Sequence, residues 1–223
     1  ELSTQKSISE TLGRVDDKIE LNNRINLTLQ DIAKSLFKEW FIDFGPAKAN
    51  AEGKKSTGAN GEIAKLFPSS FEKSELGMIP KGWKAGSLAD VASVLGGYAF
   101  KSEDFSESGH PVIKIKNISE SLNVDLSDVD YVSEEVASKA VKFHLRTGAL
   151  VMAMTGATVG KFGLVVNNNS LAPVLNQRVA LITPKDCNVG FAFASLLATD
   201  AYDQIVSRAE GSAQPNISAD GIM

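Results

Sequence analysis

The sequence has little cysteine and little histidine: one of the first and two of the second in 223 residues. Cys187 alone excludes an internal disulfide and a multi-cysteine metal site, and it fits a reducing compartment. With His110 and His144 as the only imidazoles, a zinc site would have to be completed by carboxylates, so no metal is expected. Long apolar runs are missing as well. None approaches the roughly 18 residues that a membrane span needs, and the opening ELSTQKSISE lacks the charged-then-apolar pattern of a secretory signal. A folded, cytoplasmic chain without a membrane partner is the expectation. There is no basic excess either: 23 Lys and Arg stand against 27 Asp and Glu, a net charge of −4. Residues 1–50 carry 7 basic and 8 acidic groups, so neither part of the chain is basic. A nucleic-acid binder of this composition must cluster its cations on one face or share phosphate contacts with partner subunits. What remains is ordinary: 43% hydrophobic and 22% charged residues, enough for one domain with a core plus an appendage.

From Ser7 to about Phe44 there is no proline and one glycine, Gly13. Leu12, Val15, Ile19, Asn22, Asn26, Leu29, Ala33, Leu36 and Trp40 recur at alternating spacings of three and four, the seam of a coiled coil. At roughly 1.5 Å per residue this helix would be about 55 Å long, too long to pack within a small domain, so it needs a partner helix. Ile25 and Ile32 widen the stripe beyond one seam, and Asn22 and Asn26 put amides where they set register and partner choice. Taken alone, the seam fits a self-associating coiled coil as well as a docking helix. Asp43-Phe44-Gly45-Pro46 reads as the stop, with glycine ending the helix and proline beyond it.

Ala47–Asn60 is small, polar and glycine-bearing, and reads as a flexible connector. A second domain starts near Ile79-Pro80-Lys81-Gly82-Trp83. Strand-like segments follow at Pro111–Ile118, Ala149–Met154, Gly163–Val166 and Arg178–Ile182, with Asn167-Asn168-Asn169-Ser170 as a turn. Gly190–Ser207 reads as one helix with Phe193, Leu196, Leu197, Ala201 and Ile205 along one side. The pattern predicts an α+β fold: a long N-terminal coiled-coil helix, then a globular domain with a twisted mixed or antiparallel sheet and flanking helices. The divisions fall at 1–44, 45–79 and 80–223.

Enzyme readings fail on spacing. Gly156-Ala157-Thr158-Val159-Gly160-Lys161-Phe162 has three residues between its glycines where a phosphate-binding loop has four, and Phe where the metal-coordinating hydroxyl must stand. No dinucleotide fingerprint is present, nor the Asn-Pro-Pro-aromatic tetrapeptide with which amino-methyltransferases hold a flipped base. Glu52-Gly53-Lys54 matches the end of a nuclease motif but lacks the upstream Pro-Asp partner. No nucleophile sits on a glycine-flanked elbow. The chain is expected to be non-catalytic.

Small residues do recur beside amides, hydroxyls and cations. Gly96–Lys101 combines backbone freedom with Tyr98 and Lys101. Lys114, Lys116 and Asn117 lie on an expected strand that places both lysines on one face. Thr155, Thr158 and Lys161 share one turn. Asn176, Gln177 and Arg178 offer side chains able to form paired hydrogen bonds with base edges, as do Gln214 and Asn216. Any one of these is equally a solvated polar turn.

Together these segments resemble the specificity subunit of type I restriction-modification systems, along essentially the whole chain. QKSISETLGRVDDKIELNNRINLTLQDIAKSLFKEWFIDFGP is similar to the family's spacer helix, and SELGMIPKGWKAGSLADVASVLGGYAF to the entrance of a target recognition domain. GHPVIKIKNIS, MAMTGATVGKFG and LNQRVALITP match its interior, and GSAQPNIS the segment before a further spacer helix. The resemblance implies a non-catalytic DNA reader of a phage-defence complex. Residues 1–44 would be the spacer helix, 45–79 a linker and 80–223 the recognition domain. Leu12, Val15, Ile19, Asn22, Ile25, Asn26, Leu29, Ile32, Leu36 and Trp40 would form the partner interface, and the polar residues above would contact double-stranded DNA. The implied partners are modification (methyltransferase) subunits and, through them, the restriction subunit. S-adenosylmethionine, ATP and Mg are implied on those partners only, with none on this chain. A full subunit of the family has two recognition domains and two antiparallel spacer helices; this sequence shows one of each between Glu1 and Met223. The expectation is a partial or half-length subunit that pairs as a homodimer through its helix. The alternative is a truncated interaction or regulatory protein that occupies modification subunits without productive DNA reading.

Overall fold

The computed structural model describes residues 2–209 and 215–223. Helix α1 runs Leu2–Phe37 and passes into a π-helical turn at Lys38–Ile42. Its stripe is on the surface: Leu12, Val15, Ile19 and Leu29 are each 50–59% exposed, and the first buried side chain is Phe37. One polar contact ties the shaft to the rest of the chain, Gln30 Nε2 donating to the Ser121 carbonyl at 3.0 Å.

The helix does not stop on its glycine. Phe44 takes the left-handed conformation (φ 57°), and Gly45 opens α2, Gly45–Ala51, with Pro46 in its first turn. A Cβ at Gly45 would meet only the Glu39 carboxylate, the tip of a flexible side chain that can swing aside. The expected flexible connector is therefore packed. Pro46 and Ala47 are buried, and Asn50 Nδ2 donates to the carbonyls of Ala64 and Phe67 at 2.8 and 2.9 Å. Helix α3, Gly61–Ala64, is capped by Asn60, whose Oδ1 accepts from the amides of Glu62 and Ile63. Glu52 and Lys54 pair at 2.6 Å just past α2. An aromatic collar roots the helix. Phe41 lies 5.0 Å from Phe37, 5.7 Å from Trp83 and 5.2 Å from Phe191, ring centre to ring centre. Trp40 packs on Phe67 at 5.7 Å and donates its indole N–H to the Gly58 carbonyl at 2.9 Å. The π-turn thus rotates Trp40 out of the seam and into the chain's own collar, so it does not continue the exposed stripe.

A hairpin follows, β1 (Phe71–Ser74) and β2 (Gly77–Pro80), then the short helix α4 (Leu88–Val91). The remaining elements are β3 (Ala92–Gly96), β4 (Phe105–Ser106), β5 (His110–Ile113), β6 (Asp130–Val132), α5 (Glu134–Lys139), β7 (Leu150–Ala153), β8 (Phe162–Leu164), β9 (Val174–Leu175), β10 (Val179–Pro184), α6 (Val189–Ala198), α7 (Ala201–Ser207) and α8 (Ala219–Ile222). They form two four-stranded sheets. One is antiparallel, in the order β3-β10-β7-β8; the other is mixed, β4-β6-β5-β9, with β5 and β9 parallel.

Alternation along the strands explains the layering. In β7, Leu150 and Met152 face the helices α6, α7 and α8, joining Ile182, Leu196, Ile205, Ile217 and Ile222. Val151 and Ala153 face the opposite way and meet Ile113, Leu175 and Val179 between the sheets. On the far side of the mixed sheet, Val112, Val132 and Val174 pack under Ala137 of α5 and Ala140 just beyond it. The order is helix, sheet, sheet, helix, which is why β7 and β5 are buried on both faces and read as continuous apolar runs. The expected single helix over 190–207 is two. Thr199 turns extended, and its hydroxyl bonds the Ser195 carbonyl and accepts from the Ala201 amide, which lets both Leu196 and Ile205 reach one core.

His110 is buried with an acceptor at each ring nitrogen: the Ala172 carbonyl at Nδ1 (2.8 Å) and Glu134 Oε2 at Nε2 (2.7 Å). Two donated bonds require the imidazolium. Burial pushes the pKa down, but the bonds to Glu134 and Ala172 and the charge of Glu134 outweigh it and hold the pKa above its ordinary value. Because the folded pKa is raised, the stabilisation is complete below the unfolded pKa and fades as pH rises through the folded one. Melting temperature is expected to fall as pH rises above the ordinary histidine value of about 6.5, and His110→Asn should flatten that dependence. An unchanged pH profile in the variant would reject this role.

Candidate nucleic-acid interface

Four of the segments singled out in the sequence meet at one end of the two sheets. The chain leaving β3 is sewn to the β9–β10 connection: Gly97 N–H donates to Val179 O (3.0 Å), Tyr98 N–H to Leu175 O (2.8 Å) and Gln177 N–H to Tyr98 O (2.9 Å). The β7–β8 connection joins them through Met154 N–H to Arg178 O (2.9 Å). The segment before α8 is held by Gly156 N–H to Pro215 O (2.8 Å) and Ile217 N–H to Met154 O (2.9 Å), which pairs Thr155 with Asn216. Asn176 N–H donates to Ile113 O (3.0 Å), bringing Lys114 alongside. Gly97 makes this convergence possible: a Cβ there would overlap the carbonyls of Asn176 and Leu175.

The structure sorts the candidate side chains. Gln177, Arg178 and Asn216 are exposed, with Lys101 and Lys116; Tyr98, Lys114, Thr158 and Lys161 are half-buried. Asn117, Thr155 and Asn176 are buried. Asn117 is committed to the fold: Oδ1 accepts from Lys114 N–H at 2.9 Å, and Nδ2 donates to Asp125 O and Asp128 O at 3.2 and 2.8 Å. Asn176 Oδ1 accepts from Arg178 N–H at 3.3 Å and shapes the turn that presents Gln177 and Arg178. Tyr98 packs at a tilt on Phe100 (ring centres 4.8 Å apart) and edge-on against Phe143 (5.7 Å). Gln214 lies outside the described residues.

The strand expected to carry Lys114 and Lys116 on one face ends at Ile113, and Ile115–Asn117 is a 3₁₀ turn. The two lysines part accordingly. Lys114 pairs with Asp130 at 2.8 Å and lies 4.0 Å from the centre of the Phe105 ring, while Lys116 pairs with Asp128 at 3.1 Å. Lys161 pairs with Glu120 at 2.6 Å and Lys101 with Glu103 at 3.6 Å. Among the described residues, Arg178 has no ion pair. Lys114 holds the Asp130 carboxyl below the usual carboxylate range. These acidic partners and the role of Gly97 were missed in the sequence; a glycine pair before an aromatic was the one available signal.

The Gly156–Phe162 stretch makes a single 3₁₀ turn, Gly156–Thr158, and leads into β8, the antiparallel neighbour of β7, so it lacks the strand-to-α-helix frame of a phosphate-binding loop. Among the described residues, no group of three or more His, Cys, Asp or Glu is placed to hold a metal ion, and no helix is long and apolar enough to cross a membrane.

The domain is a two-sheet sandwich with four polar segments gathered at one end, preceded by a long exposed helix. The family described as "Type I restriction modification DNA specificity domain" matches residues 80–222, and the chain belongs to it. The chain is 27% identical to the type I restriction enzyme HindI specificity subunit of Haemophilus influenzae, over 82% of this chain and 47% of that protein. It is 26% identical to the MjaVIII specificity subunit of Methanocaldococcus jannaschii, over 90% of this chain and 43% of that protein. The chain thus spans about half the length of the curated relatives it matches. A crystal structure of the HsdS subunit from Thermoanaerobacter tengcongensis aligns with 82% of this chain and 37% of that one, at 15% identity and a TM-score of 0.42.

Proposed function

We propose that the chain is a non-catalytic, DNA-reading specificity module that recognises half of a bipartite site and docks modification subunits through α1. The observation that carries this reading is the convergence of four separate polar segments at one end of a rigid sandwich, with Gln177, Arg178 and Asn216 presented outward. Sites built on strand ends hold their side chains in fixed geometry, which base-edge recognition requires. Arg178 is the primary base reader, with Gln177 and Asn216 beside it; Lys101, Lys114, Lys116 and Lys161 face phosphates, and Tyr98 supports the loop. The stripe from Leu12 to Leu36 faces a second helix, supplied by a second copy of this chain, so that two copies carry two recognition domains. S-adenosylmethionine, ATP and Mg belong to the partner subunits in this reading.

Arg178→Ala is expected to reduce affinity for the cognate duplex by about 1–3 kcal/mol and to relax selection at one base position. Capture of the modification subunit should be unchanged. Equal loss on cognate and unrelated duplexes would contradict a base-reading role. No preference of the parent chain for any duplex sequence, with modification-subunit binding intact, would instead favour the interaction protein that occupies partners without reading DNA.

A further inference from the structure

The lysines of the candidate interface are not free. Three of them pair with carboxylates from one stretch of chain, residues 119–132: Lys161 with Glu120, Lys116 with Asp128 and Lys114 with Asp130. Two of these pairs join residues 41 and 12 positions apart, so they come from the fold and not from adjacency. In every pair the carboxylate is the more exposed partner. Glu120 is 93% exposed over a lysine at 18%, Asp128 87% over 45%, and Asp130 42% over 30%. The carboxylates of all three pairs thus lie open to solvent, where an approaching polyanion meets them. The stretch is also anchored where it matters: Asn117 Nδ2 bonds the carbonyls of Asp125 and Asp128, and Gln30 of α1 bonds the carbonyl of Ser121.

Exposed ion pairs add little to stability, so a structural purpose accounts poorly for three of them drawn from one short stretch of chain. Their effect on DNA binding is larger. A lysine neutralised within the chain releases no counterion from DNA, and sequence-independent affinity rests almost wholly on such release. We propose that residues 119–132 form an acidic strap whose Glu120, Asp128 and Asp130 stand in for phosphate on the interface lysines. The strap suppresses binding to DNA that offers no base contacts, and the cognate duplex displaces it. This also explains how a chain of net charge −4 serves on DNA: the charge of these lysines is withheld until phosphates replace the strap. The inference rests on the DNA-reading function proposed above.

The test compares the whole chain with the triple variant Glu120→Gln, Asp128→Asn, Asp130→Asn on a duplex of random sequence across a salt series. A charge-matched control carries Glu107→Gln, Asp186→Asn and Asp203→Asn, all exposed and outside the ion pairs among the described residues. The strap variant should bind the random duplex more than about tenfold tighter, and its plot of log affinity against log salt should steepen by about 0.9 for each lysine released. The control should show neither change to that extent. Equal gains in both variants, or binding by parent and strap variant with the same affinity and slope, would overturn the strap. Binding by neither at low salt would overturn the DNA-reading function itself. If the triple variant does not fold, Glu120→Gln alone, at a side chain almost fully in solvent, carries the test with a slope change of about 0.9.

Discussion

Ile19→Glu with Leu29→Glu is expected to turn a dimer of this chain into a monomer at micromolar concentration while leaving the recognition domain folded. Both side chains lie on the stripe of α1, are more than half exposed and belong to none of the core clusters, so the recognition domain does not depend on them. In a paired helix each would be buried, at about 1.5–3 kcal/mol per side chain, and a glutamate in its place adds the cost of a buried charge. The dimer constant should weaken by at least about a hundredfold, the equivalent of about 2.7 kcal/mol. Light scattering should give half the parent mass, with the main melting transition unmoved. A parent that is already monomeric under these conditions would contradict pairing through a second copy.

Gly97→Ala should have the other large effect. Its new methyl group would collide with backbone carbonyls of Asn176 and Leu175, and backbone cannot rotate away as a side-chain tip can. Either the segment 97–101 separates from the β9–β10 connection, breaking the Tyr98–Leu175 and Gln177–Tyr98 hydrogen bonds, or the sheets shift apart. Both routes displace Gln177 and Arg178. Cognate DNA affinity should fall by more than tenfold and stability by about 1–3 kcal/mol, the usual range for overpacking. Gly96→Ala is the matching control, because a Cβ there meets only Met154, at ordinary contact distance. Equal behaviour of the two variants would refute the close approach as the reason for Gly97.

The contrast between these two sites shows what the sequence carried. Helix α1 was legible because its signal is local: three-and-four spacing from Leu12 to Leu36 and no proline. The place of its end, at Asp43-Phe44, was legible too; the packing there was not, because it depends on Trp40 finding Gly58 and Phe67, and on Phe41 finding Trp83 and Phe191. Composition likewise made residues 47–60 look like a free connector, whereas the buried Ala47 and the bonds of Asn50 hold them against the helix root. The polar segments around Tyr98, Thr155, Asn176 and Asn216 were each visible as turns with hydrogen-bonding side chains. That they meet is a property of sheet order, in which β10 lies between β3 and β7, and no short-range pattern encodes it. The same holds for Lys114 and Lys116, which a continuous strand would have placed together. The turn capped by Asn117 sends them to different carboxylates.

The central claim, that this end of the sandwich reads DNA, is tested most directly by mapping methylated bases. Cells would carry the chain and its modification subunit, with parent and Arg178→Ala compared. The account predicts one defined sequence modified by the parent, and in the variant a motif relaxed at one position while the others are kept. Methylation with an identical motif in both, or methylation independent of the chain, would contradict it.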